Sequence, residues 1–521
     1  MKSKLVDVQD SINRIKSGST IAITGNCEML LPDLVLESLE KKYLREGYPK
    51  NLTIFYPVTP GAHRSGTGVD RFAHKGFLKR VLASSYSVLN VKKICGLINS
   101  NSIEAYYLPM GACWQIFRAI AGGRPGAITQ VGVGSFIDPR NGENKMNAKT
   151  KEDLVKIIEI EGKEYLFYKS FPIDFAIIRG TTADELGNIS IEDEPLPSGI
   201  LDIAMAAKNS GGSVIAQVKR ITQVGSIHPR QIEVPGIFVD EVVIDPSQQD
   251  YFPYNPYYSG DLQMPVSQFK ELSLDWQKVI ARRAAFELRE GQNINLGFGI
   301  AAQVPSIAFE ENIEKEVCFG VEHGHIGGVP APKDAFGAGI NSLAIMDSPD
   351  IFNMYDAGGL DISFLGMAEV DQEGNLNVSN INGKYNLGGF LDIIWKTPKI
   401  VFCGSFKAGG FKGKIRNGEL EITQEGKIKK FVKKVKQKTL EAKRAIKEKQ
   451  SIIYITERAV FDLTKNGIRL LEIAPGVNLE EDILKQMDFN PIISENLIKM
   501  DESLFLEGKI GLKEKYFNKS S

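Results

Sequence analysis

Two distant segments of the sequence share one pattern, and this repeat is the strongest constraint on the fold. The segments are GSTIAITGNCEMLLPDL, from Gly18, and GQNINLGFGIAAQVPSI, from Gly291. Without gaps, the following positions coincide: Gly18 with Gly291, Ile21 with Ile294, Ile23 with Leu296, and Pro32 with Pro305. Each segment predicts a buried strand, a glycine-containing loop and a helix with proline in its first turn.

A second pair of matching segments follows in the same order. ADELGNIS and VDQEGNLN both contain Asp-x-x-Gly-Asn and then an apolar residue, which is typical of a turn leading into a strand. The shared positions are Asp184, Gly187 and Asn188 in the first segment and Asp371, Gly374 and Asn375 in the second. Chance is the alternative, because strand-glycine-helix patterns are common. Two ordered matches favour a duplicated α/β domain.

Short apolar runs alternate with amphipathic segments over the N-terminal half. Residues 20–24, 51–55 and 174–180 predict buried strands, and Pro32 to Leu44 predicts a helix. This alternation is typical of α/β layers over a mostly parallel sheet. We therefore expect two related open α/β domains in tandem, with the active site at their interface.

A segment rich in proline, tyrosine and polar residues, 245–265, has no clear hydrophobic period. We interpret it as an interdomain linker whose tyrosines pack on the domains. The predicted boundaries are residues 1–245 for the N-terminal domain, 246–268 for the linker and 269–521 for the C-terminal domain.

Bulk composition excludes several classes of protein. The chain is 43% apolar and 24% charged, and its formal net charge is -1, which argues against a nucleic-acid or membrane-surface binder. Five widely spaced cysteines without a C-x-x-C pair indicate neither a disulfide framework nor a cysteine zinc site. The N-terminus lacks an apolar signal region and no run of 18 apolar residues occurs, so we expect a cytoplasmic protein without a membrane segment.

The segment VEHGHIGGVP places one carboxylate, Glu322, directly after the apolar run VCFGV. A carboxylate at the end of a buried strand projects into the crevice where α/β sheets bind ligands. Partial desolvation there raises its pKa and makes it a candidate nucleophile. The alternative interpretation is an exposed acid in a flexible turn.

His323 and His325 adjoin Glu322 and suggest, at first, a metal cluster. In an extended segment the two histidines would share one face and Glu322 would point the other way. No third ligand stands at a familiar spacing, so we expect no metal. We expect the two histidines to shape a substrate pocket.

Three glycine loops are candidate anion sites. GFGIAAQ (297–303) lacks the full G-x-G-x-x-G fingerprint but lies between a predicted strand and a predicted helix. QVGVGSFIDPR (130–140) offers backbone N–H groups for an oxyanion site. NLGGF (386–390) is the third. Each is alternatively a simple tight turn.

The basic stretch 427–449 has apolar residues near helical spacing. These residues are Ile428, Phe431, Val432, Val435, Ala442 and Ile446. The simpler interpretation is an amphipathic segment with a solvated cationic face. The functional interpretation is a cationic rim that attracts an anionic substrate, such as a nucleotide phosphate.

Neither a G-x-S-x-G elbow nor a Walker A sequence occurs, so a nucleophilic carboxylate explains the glycine-rich clusters better than a serine triad or an NTPase site.

Nearly the whole chain resembles the family I CoA-transferases, and within them the single-chain acetate/propionate CoA-transferases. The segments that carry the resemblance are SGSTIAITG, DRFAHKGFLKRV, PGAITQVGVGSFIDPR, VPGIFVDEVVIDP, INLGFGIAAQVP, VEHGHIGGVP, FLGMAEVDQEGNLNVS, NLGGF, YITERAVFDL and LEIAPGVNLEEDIL.

The resemblance implies that Glu322 is the catalytic nucleophile, in a ping-pong reaction through a glutamyl-CoA thioester. It also implies CoA-binding residues, which are Gly297, Phe298, Gly299, Ile300, Ala301, Gly388 and Gly389. An oxyanion role is implied for Gly132, Val133 and Gly134. CoA is then a substrate, no cofactor is implied, and a homo-oligomer, dimer or tetramer, is expected.

One position departs from the family pattern, because the residue after the glutamate is usually small and here it is His323. That leaves the preferred acid and the pH profile open. We expect transfer of CoA from a short-chain acyl-CoA to a free short-chain carboxylate such as acetate. The alternatives are an acyl-CoA hydrolase on the same scaffold and a non-catalytic CoA-binding regulator.

Overall fold

The computed structural model describes residues 3–61, 65–88, 90–248, 252–265, 268–269, 271–332 and 335–517. Two large sheets organise these residues. A seven-stranded sheet is built by the N-terminal half and a ten-stranded sheet by the C-terminal half. The chain is thus a tandem of two α/β units, as the repeat predicts.

The N-terminal half alternates strands and helices. Its strands are β1 (Thr20–Ile23), β2 (Leu52–Tyr56), β3 (Leu78–Ala83), β4 (Glu104–Tyr107), β5 (Gly126–Thr129), β6 (Val155–Ile160), β7 (Lys163–Lys169), β8 (Phe175–Arg179), β9 (Thr182–Asp184), β10 (Ile189–Ser190), β11 (Ser213–Val218), β12 (Arg220–Thr222) and β13 (Glu241–Ile244). Its helices are α1 (Val8–Asn13), α2 (Asp33–Glu46), α3 (Lys93–Asn99), α4 (Met110–Ala121) and α5 (Ile200–Asn209).

The large N-terminal sheet has the order β13-β11-β8-β1-β2-β3-β4. All its recorded pairings are parallel, because each strand returns through a helix or a long connection on a sheet face. The three predicted strands, at 20–24, 51–55 and 174–180, are confirmed as β1, β2 and β8. The predicted helix is confirmed as α2, with Pro32 as its N-cap residue.

The C-terminal half repeats the alternation and adds antiparallel strands at both edges. Its strands are β14 (Asn293–Leu296), β15 (Cys318–Gly320), β16 (His325–Ile326), β17 (Val329–Pro330), β18 (Gly339–Ile340), β19 (Ala344–Ile345), β20 (Ile362–Gly366), β21 (Glu369–Asp371), β22 (Leu376–Asn377), β23 (Asn380–Ile381), β24 (Lys384–Tyr385), β25 (Lys399–Cys403), β26 (Lys407–Ala408), β27 (Lys412–Arg416), β28 (Glu419–Gln424), β29 (Ile428–Lys429), β30 (Phe431–Val432), β31 (Ser451–Ile455), β32 (Ala459–Thr464), β33 (Gly467–Ile473) and β34 (Ile492–Lys499). The remaining helices are α6 (Pro256–Ser259), which precedes this half, and α7 (Trp276–Ala285), α8 (Val304–Glu310), α9 (Ser348–Ala357), α10 (Phe390–Lys396) and α11 (Ala442–Lys447).

The two halves share a strand arrangement around the repeated segments. β1 lies between β2 and β8, and β14 lies between β15 and β20, all in parallel. The two Asp-x-x-Gly-Asn turns are also alike. Asn188 N–H donates to Asp184 Oδ1 at 3.0 Å, and Asn375 N–H donates to Asp371 Oδ1 at 2.9 Å. The repeat therefore marks a real duplication of the fold.

The segment between the large sheets contains the short helix α6. Tyr258 of α6 packs against Phe252, with ring centroids 6.2 Å apart. The predicted linker, 246–268, includes residues 249–251 and 266–267, which lie outside the described residues. Its boundaries stay predictions.

The prediction of one amphipathic segment over 427–449 is wrong in its secondary structure. Strands β29 and β30 and the six-residue helix α11 occupy these residues instead. Phe431 is 1% exposed because β30 pairs in parallel with β21, whereas Ile428 is 51% exposed. Pairing with a strand far away in sequence overrides the helical spacing, which is a weak local preference.

Two further features of the described residues bear on the sequence analysis. All five cysteines are free thiols. Within the described part of the chain, none of the helices combines the length and the apolar character needed to cross a lipid bilayer.

Candidate active site

A tight hairpin turn presents Glu322. The turn joins β15 to β16, and Val321 N–H donates to the His325 carbonyl oxygen at 3.0 Å to close it. Gly324 adopts a φ of +129°, and a Cβ there would clash with the carbonyl oxygen of Met346. Only glycine fits that position, so the turn fixes the direction of the Glu322 side chain.

The Glu322 carboxylate is largely withdrawn from solvent. Its side chain is 18% exposed, and Oε2 accepts a hydrogen bond of 3.2 Å from the Gly389 N–H. Burial raises the pKa of Glu322 to about 7, and the Gly389 hydrogen bond opposes that shift only in part. The group is thus a carboxylate of raised basicity with one backbone donor aimed at it.

The predicted glycine pair, Gly388 and Gly389, lies directly against this carboxylate. A Cβ at position 389 would be 2.5 Å from Glu322 Oε2, and one at position 388 would be 3.4 Å from Oε1. Leu387 N–H and Gly388 N–H donate to the Ser84 carbonyl oxygen at 3.2 and 3.3 Å. Because Ser84 directly follows β3, the two halves of the chain meet beside Glu322.

The two histidines depart from the extended geometry that the sequence predicted. Glu322 and His323 form the apex of the turn, and His323 Nε2 is 3.7 Å from Glu322 Oε1, so the expectation of opposite faces is wrong. His325 instead pairs its Nδ1 with Ser342 Oγ at 2.8 Å. Burial lowers the pKa of His323 to about 3 and of His325 to about 4, so both rings are neutral near pH 7.

A loop from the N-terminal half, which the sequence analysis predicted but did not assign to the site, also faces Glu322. The loop follows β1 and contains Asn26 and Cys27. Burial raises the pKa of Cys27 to about 12, and the nearby carboxylates of Glu28 and Glu322 add to the effect. The loop could have been found from its position, since ligands bind at the carboxyl ends of parallel strands.

The predicted CoA loop, 297–301, follows β14 and leads through a 3-10 turn into α8, as expected. Phe298 is 57% exposed, and its ring meets the Phe336 ring edge-on at 5.3 Å. Phe336 in turn meets His323 edge-on at 6.4 Å. The loop therefore reaches the Glu322 site through aromatic contacts and forms an exposed edge of it.

The oxyanion role of Gly132, Val133 and Gly134 stays a prediction, and two N–H groups of this loop make hydrogen bonds within it. Val133 N–H donates to the Gln130 carbonyl oxygen at 3.1 Å, and Gly134 N–H donates to Asp138 Oδ2 at 2.9 Å. Both donors are thus already used within the loop, and they stabilise its turn.

The same loop lies at the far end of α10 from Glu322. Together with Trp395 and Lys396, at the C-terminal end of α10, it lines a cavity of about 640 Å³. Basic side chains of the 427–449 segment, Arg444 and Lys447, line the cavity as well. Arg444 stacks on Trp395, with its guanidinium carbon 3.9 Å from the ring centroid.

One lysine of the basic segment, Lys430, is buried and was not predicted individually. Its Nζ donates to the Met367 carbonyl oxygen at 3.2 Å, and burial lowers its pKa to about 8. A Cβ at Gly404 would be 3.1 Å from this Nζ. The charge of Glu457 opposes that shift in pKa, so Lys430 is a buried cation that bonds to the backbone at the end of β20.

Comparison with known proteins places these features in a family. The family model for coenzyme A transferase matches residues 6–245. The acetate CoA-transferase YdiF of Escherichia coli O157:H7 is 40% identical over 97% of this chain and 96% of that protein. The chain belongs to the family I coenzyme A transferases.

Other relatives of this CoA-transferase agree with that assignment. The caffeate CoA-transferase of Acetobacterium woodii is 40% identical over 98% of this chain and 99% of that protein. The crystal structure of the YdiF apoenzyme from Escherichia coli O157:H7 superposes with a TM-score of 0.93 at 39% identity, covering 98% of this chain and 97% of that one. A structure of YdiF described as a thioester complex with CoA has a TM-score of 0.92.

Proposed function

We propose that this enzyme transfers CoA from a short-chain acyl-CoA to a free short-chain carboxylate, such as acetate, with Glu322 as the nucleophile. The observation that carries the proposal is the Glu322 carboxylate itself, 18% exposed, of raised pKa and bonded to the Gly389 N–H. A carboxylate withdrawn from water is more nucleophilic than a solvated one. The names of the relatives, acetate and caffeate CoA-transferase, support the class of reaction.

The chemistry runs through two covalent intermediates on Glu322. A carboxylate oxygen attacks the thioester carbonyl carbon and the carbon–sulfur bond breaks. CoA leaves as a thiolate, and the acyl group stays joined to Glu322 in a mixed anhydride. The thiolate then attacks the glutamyl carbonyl and expels the acyl group as a free carboxylate, leaving a glutamyl-CoA thioester. A second carboxylate reverses both steps, so the kinetics are ping-pong and neither ATP nor a metal is required.

Two groups assist this proposed sequence. The Gly389 N–H, 3.2 Å from Oε2, donates to oxygen on the glutamyl group as charge redistributes during attack. The exposed Phe298 edge is where the pantetheine arm of CoA reaches Glu322, with the loop 297–301 as its binding surface. The structure described as a thioester complex of YdiF with CoA is consistent with an enzyme-bound thioester.

The test is the intact mass of the protein after mixing with acetyl-CoA and no acceptor, beside Glu322→Gln. A CoA adduct on the parent, absent from the variant and released by propionate as propionyl-CoA, is the expected result. An untouched parent with no loss of acetyl-CoA would contradict the nucleophile and favour a CoA-binding regulator. Steady loss of acetyl-CoA without acceptor would instead identify the acyl-CoA hydrolase.

A further inference from the structure

The cavity of about 640 Å³ at the far end of α10 opens between the two halves of the chain. The N-terminal half contributes Val133, Gly134 and the turn between β6 and β7, and the C-terminal half contributes α11 and the end of α10. A hydrogen bond of 3.1 Å from the Phe136 N–H to the Lys438 carbonyl oxygen joins the halves beside it. A volume of this size is typical of sites that hold a small organic ligand.

Basic side chains outnumber acidic ones in the lining of this cavity. Five basic residues line it, which are Lys163, Lys396, Lys443, Arg444 and Lys447. Three acidic residues line it as well, which are Glu164, Glu441 and Glu448. In the part of the chain that the structure describes, none of the five basic side chains has an ion-pair partner within 4.0 Å.

Two of the three carboxylates are already paired with cations that do not line the cavity. Glu164 pairs with Arg140 at 2.8 Å. Glu441 pairs with Lys438 at 3.3 Å. The positive charge of the lining is therefore only weakly balanced from within, and an anionic ligand would balance it.

The cations on α11 are arranged to act together. Lys443 and Lys447 stand four residues apart, so their side chains share one face of the helix. Arg444 is held in place, because both terminal nitrogens of its guanidinium donate to the Trp395 carbonyl oxygen at 3.1 Å. Cations that line a concave wall raise the local concentration of anions more than cations on a flat, solvated face do.

The cavity lies apart from the path proposed for CoA. Phe298 follows β14, at the carboxyl ends of the parallel strands of the ten-stranded sheet. The end of α10 leads instead into the amino end of β25, which runs parallel to β20 and β14. Neither Glu322 nor the loop 297–301 lines the cavity. The two places are thus at opposite edges of the sheet.

We propose that this interdomain cavity is a second anion-binding site, which takes the diphosphate group of a small molecule while CoA occupies the Glu322 site. Lysine ammonium groups bind phosphate oxygens as point charges, and a diphosphate is compact enough to meet several of them at once. The diphosphate is either free or part of a nucleotide. The inference goes beyond the proposed function and does not need Glu322 to be the nucleophile.

The experiment is isothermal titration of inorganic pyrophosphate, and separately of ADP, into the enzyme saturated with CoA and free of divalent cations. We expect both probes to bind the parent. Tighter binding of ADP would identify a nucleotide site, and equal affinities would identify a site for the diphosphate group alone. Absence of binding by both probes would overturn the proposal, and so would binding that disappears when CoA is added.

A double variant localises the site, and a second one is its matched control. Lys443→Gln/Lys447→Gln should raise the Kd of pyrophosphate at least about tenfold. Lys412→Gln/Lys414→Gln removes the same charge from two exposed lysines of β27, outside the cavity, and should change the Kd less than about twofold. All four lysines are exposed, so neither variant disturbs the core. An unchanged Kd in the cavity variant, or an equal loss in both variants, would refute the assignment.

Discussion

At the scale of single residues, Glu322 balances two opposing demands. Burial removes water from the carboxylate and makes it a better nucleophile, but it also raises the pKa to about 7, so part of the enzyme is protonated at neutral pH. The hydrogen bond from the Gly389 N–H lowers this pKa in part and so increases the ionised fraction of Glu322. The reaction rate and the free energy of unfolding should therefore both change with pH around this pKa.

The first prediction concerns the pH dependence of acylation. Only the ionised carboxylate attacks the thioester, so the rate of CoA-adduct formation should rise as pH increases, with a midpoint near the pKa of about 7. The measurement is rapid-quench mass spectrometry at a series of pH values with acetyl-CoA. A rate that stays flat from about pH 5.5 to about pH 8.5 would show that Glu322 does not titrate in this range.

The second prediction concerns stability. A carboxyl whose pKa is higher in the folded state stabilises the fold below its unfolded pKa, and that contribution is lost as pH rises through the folded value. The side chain of Glu322→Gln does not ionise, so the variant does not lose this stability. We expect the free energy of unfolding of the variant minus that of the parent to be roughly 2 kcal/mol greater at about pH 8 than at about pH 5.

The measurement for that prediction is urea unfolding at the two pH values. Glu495→Gln, at an exposed carboxylate on β34, is the matched control and should show little difference between them. An equal effect of Glu322→Gln at both pH values would contradict the raised pKa.

At the scale of elements, the start of α10 and the turn between β15 and β16 hold each other in place. The N–H of Gly389, which immediately precedes α10, bonds to the glutamate that the turn presents. No space remains for a side chain there, since a Cβ at position 389 would be 2.5 Å from Glu322 Oε2 and 2.7 Å from the Phe352 ring. The contact depends on glycine for its size, because the φ of Gly389 is an ordinary -83°.

The third prediction follows from that contact. Gly389→Ala should push the carboxylate out of position and lower the rate of adduct formation roughly 100-fold. Single-turnover mass spectrometry measures the rate, and thermal unfolding verifies that the variant is folded. Gly96→Ala, in the middle of α3 with open space around it, should keep the rate and stabilise the protein by about 0.5–1 kcal/mol. Equal rates for the parent and Gly389→Ala would show that the close contact of Gly389 with the Glu322 carboxylate is not needed for adduct formation.

At the scale of the whole molecule, hydrogen bonds connect the N-terminal half to the C-terminal half near the Glu322 site. Ser85 Oγ donates to Asn386 Oδ1 at 2.5 Å, immediately beside the backbone contacts of the glycine pair. Tyr107, 1% exposed at the end of β4, donates its hydroxyl to the Ser379 carbonyl oxygen at 2.8 Å. These hydrogen bonds join the two halves in the region of the site. A homo-oligomer and a cytoplasmic location stay predictions.

The fourth prediction tests one of these interdomain bonds. Tyr107→Phe removes the hydroxyl and leaves the Ser379 carbonyl without that donor, so the free energy of unfolding should fall by about 1–2 kcal/mol. Urea unfolding measures the change. Tyr165→Phe, at a half-buried tyrosine on β7 within the N-terminal half, should cost less. A Tyr107→Phe variant as stable as the parent would show that the hydrogen bond from Tyr107 to Ser379 does not contribute to stability.

The sequence alone determined the architecture, because hydrophobic periodicity and turn chemistry are local. The repeat around Gly18 and Gly291 predicted two parallel α/β units, and the resemblance of the glycine segments predicted the family. The resemblance also implied that Gly388 and Gly389 bind CoA, and that role stays a prediction. In each case, the information lies in a few consecutive residues.

Only the tertiary structure decided how the site is assembled, because its neighbours come from distant strands. Asn26 and His323 come from different halves of the chain and meet beside Gly337 only once both halves have folded. The turn at Glu322 reversed the predicted facing of His323, and strand pairing replaced the helical pattern expected around Phe431. Local spacing gives a preference, but long-range pairing and burial decide which atoms finally share one pocket.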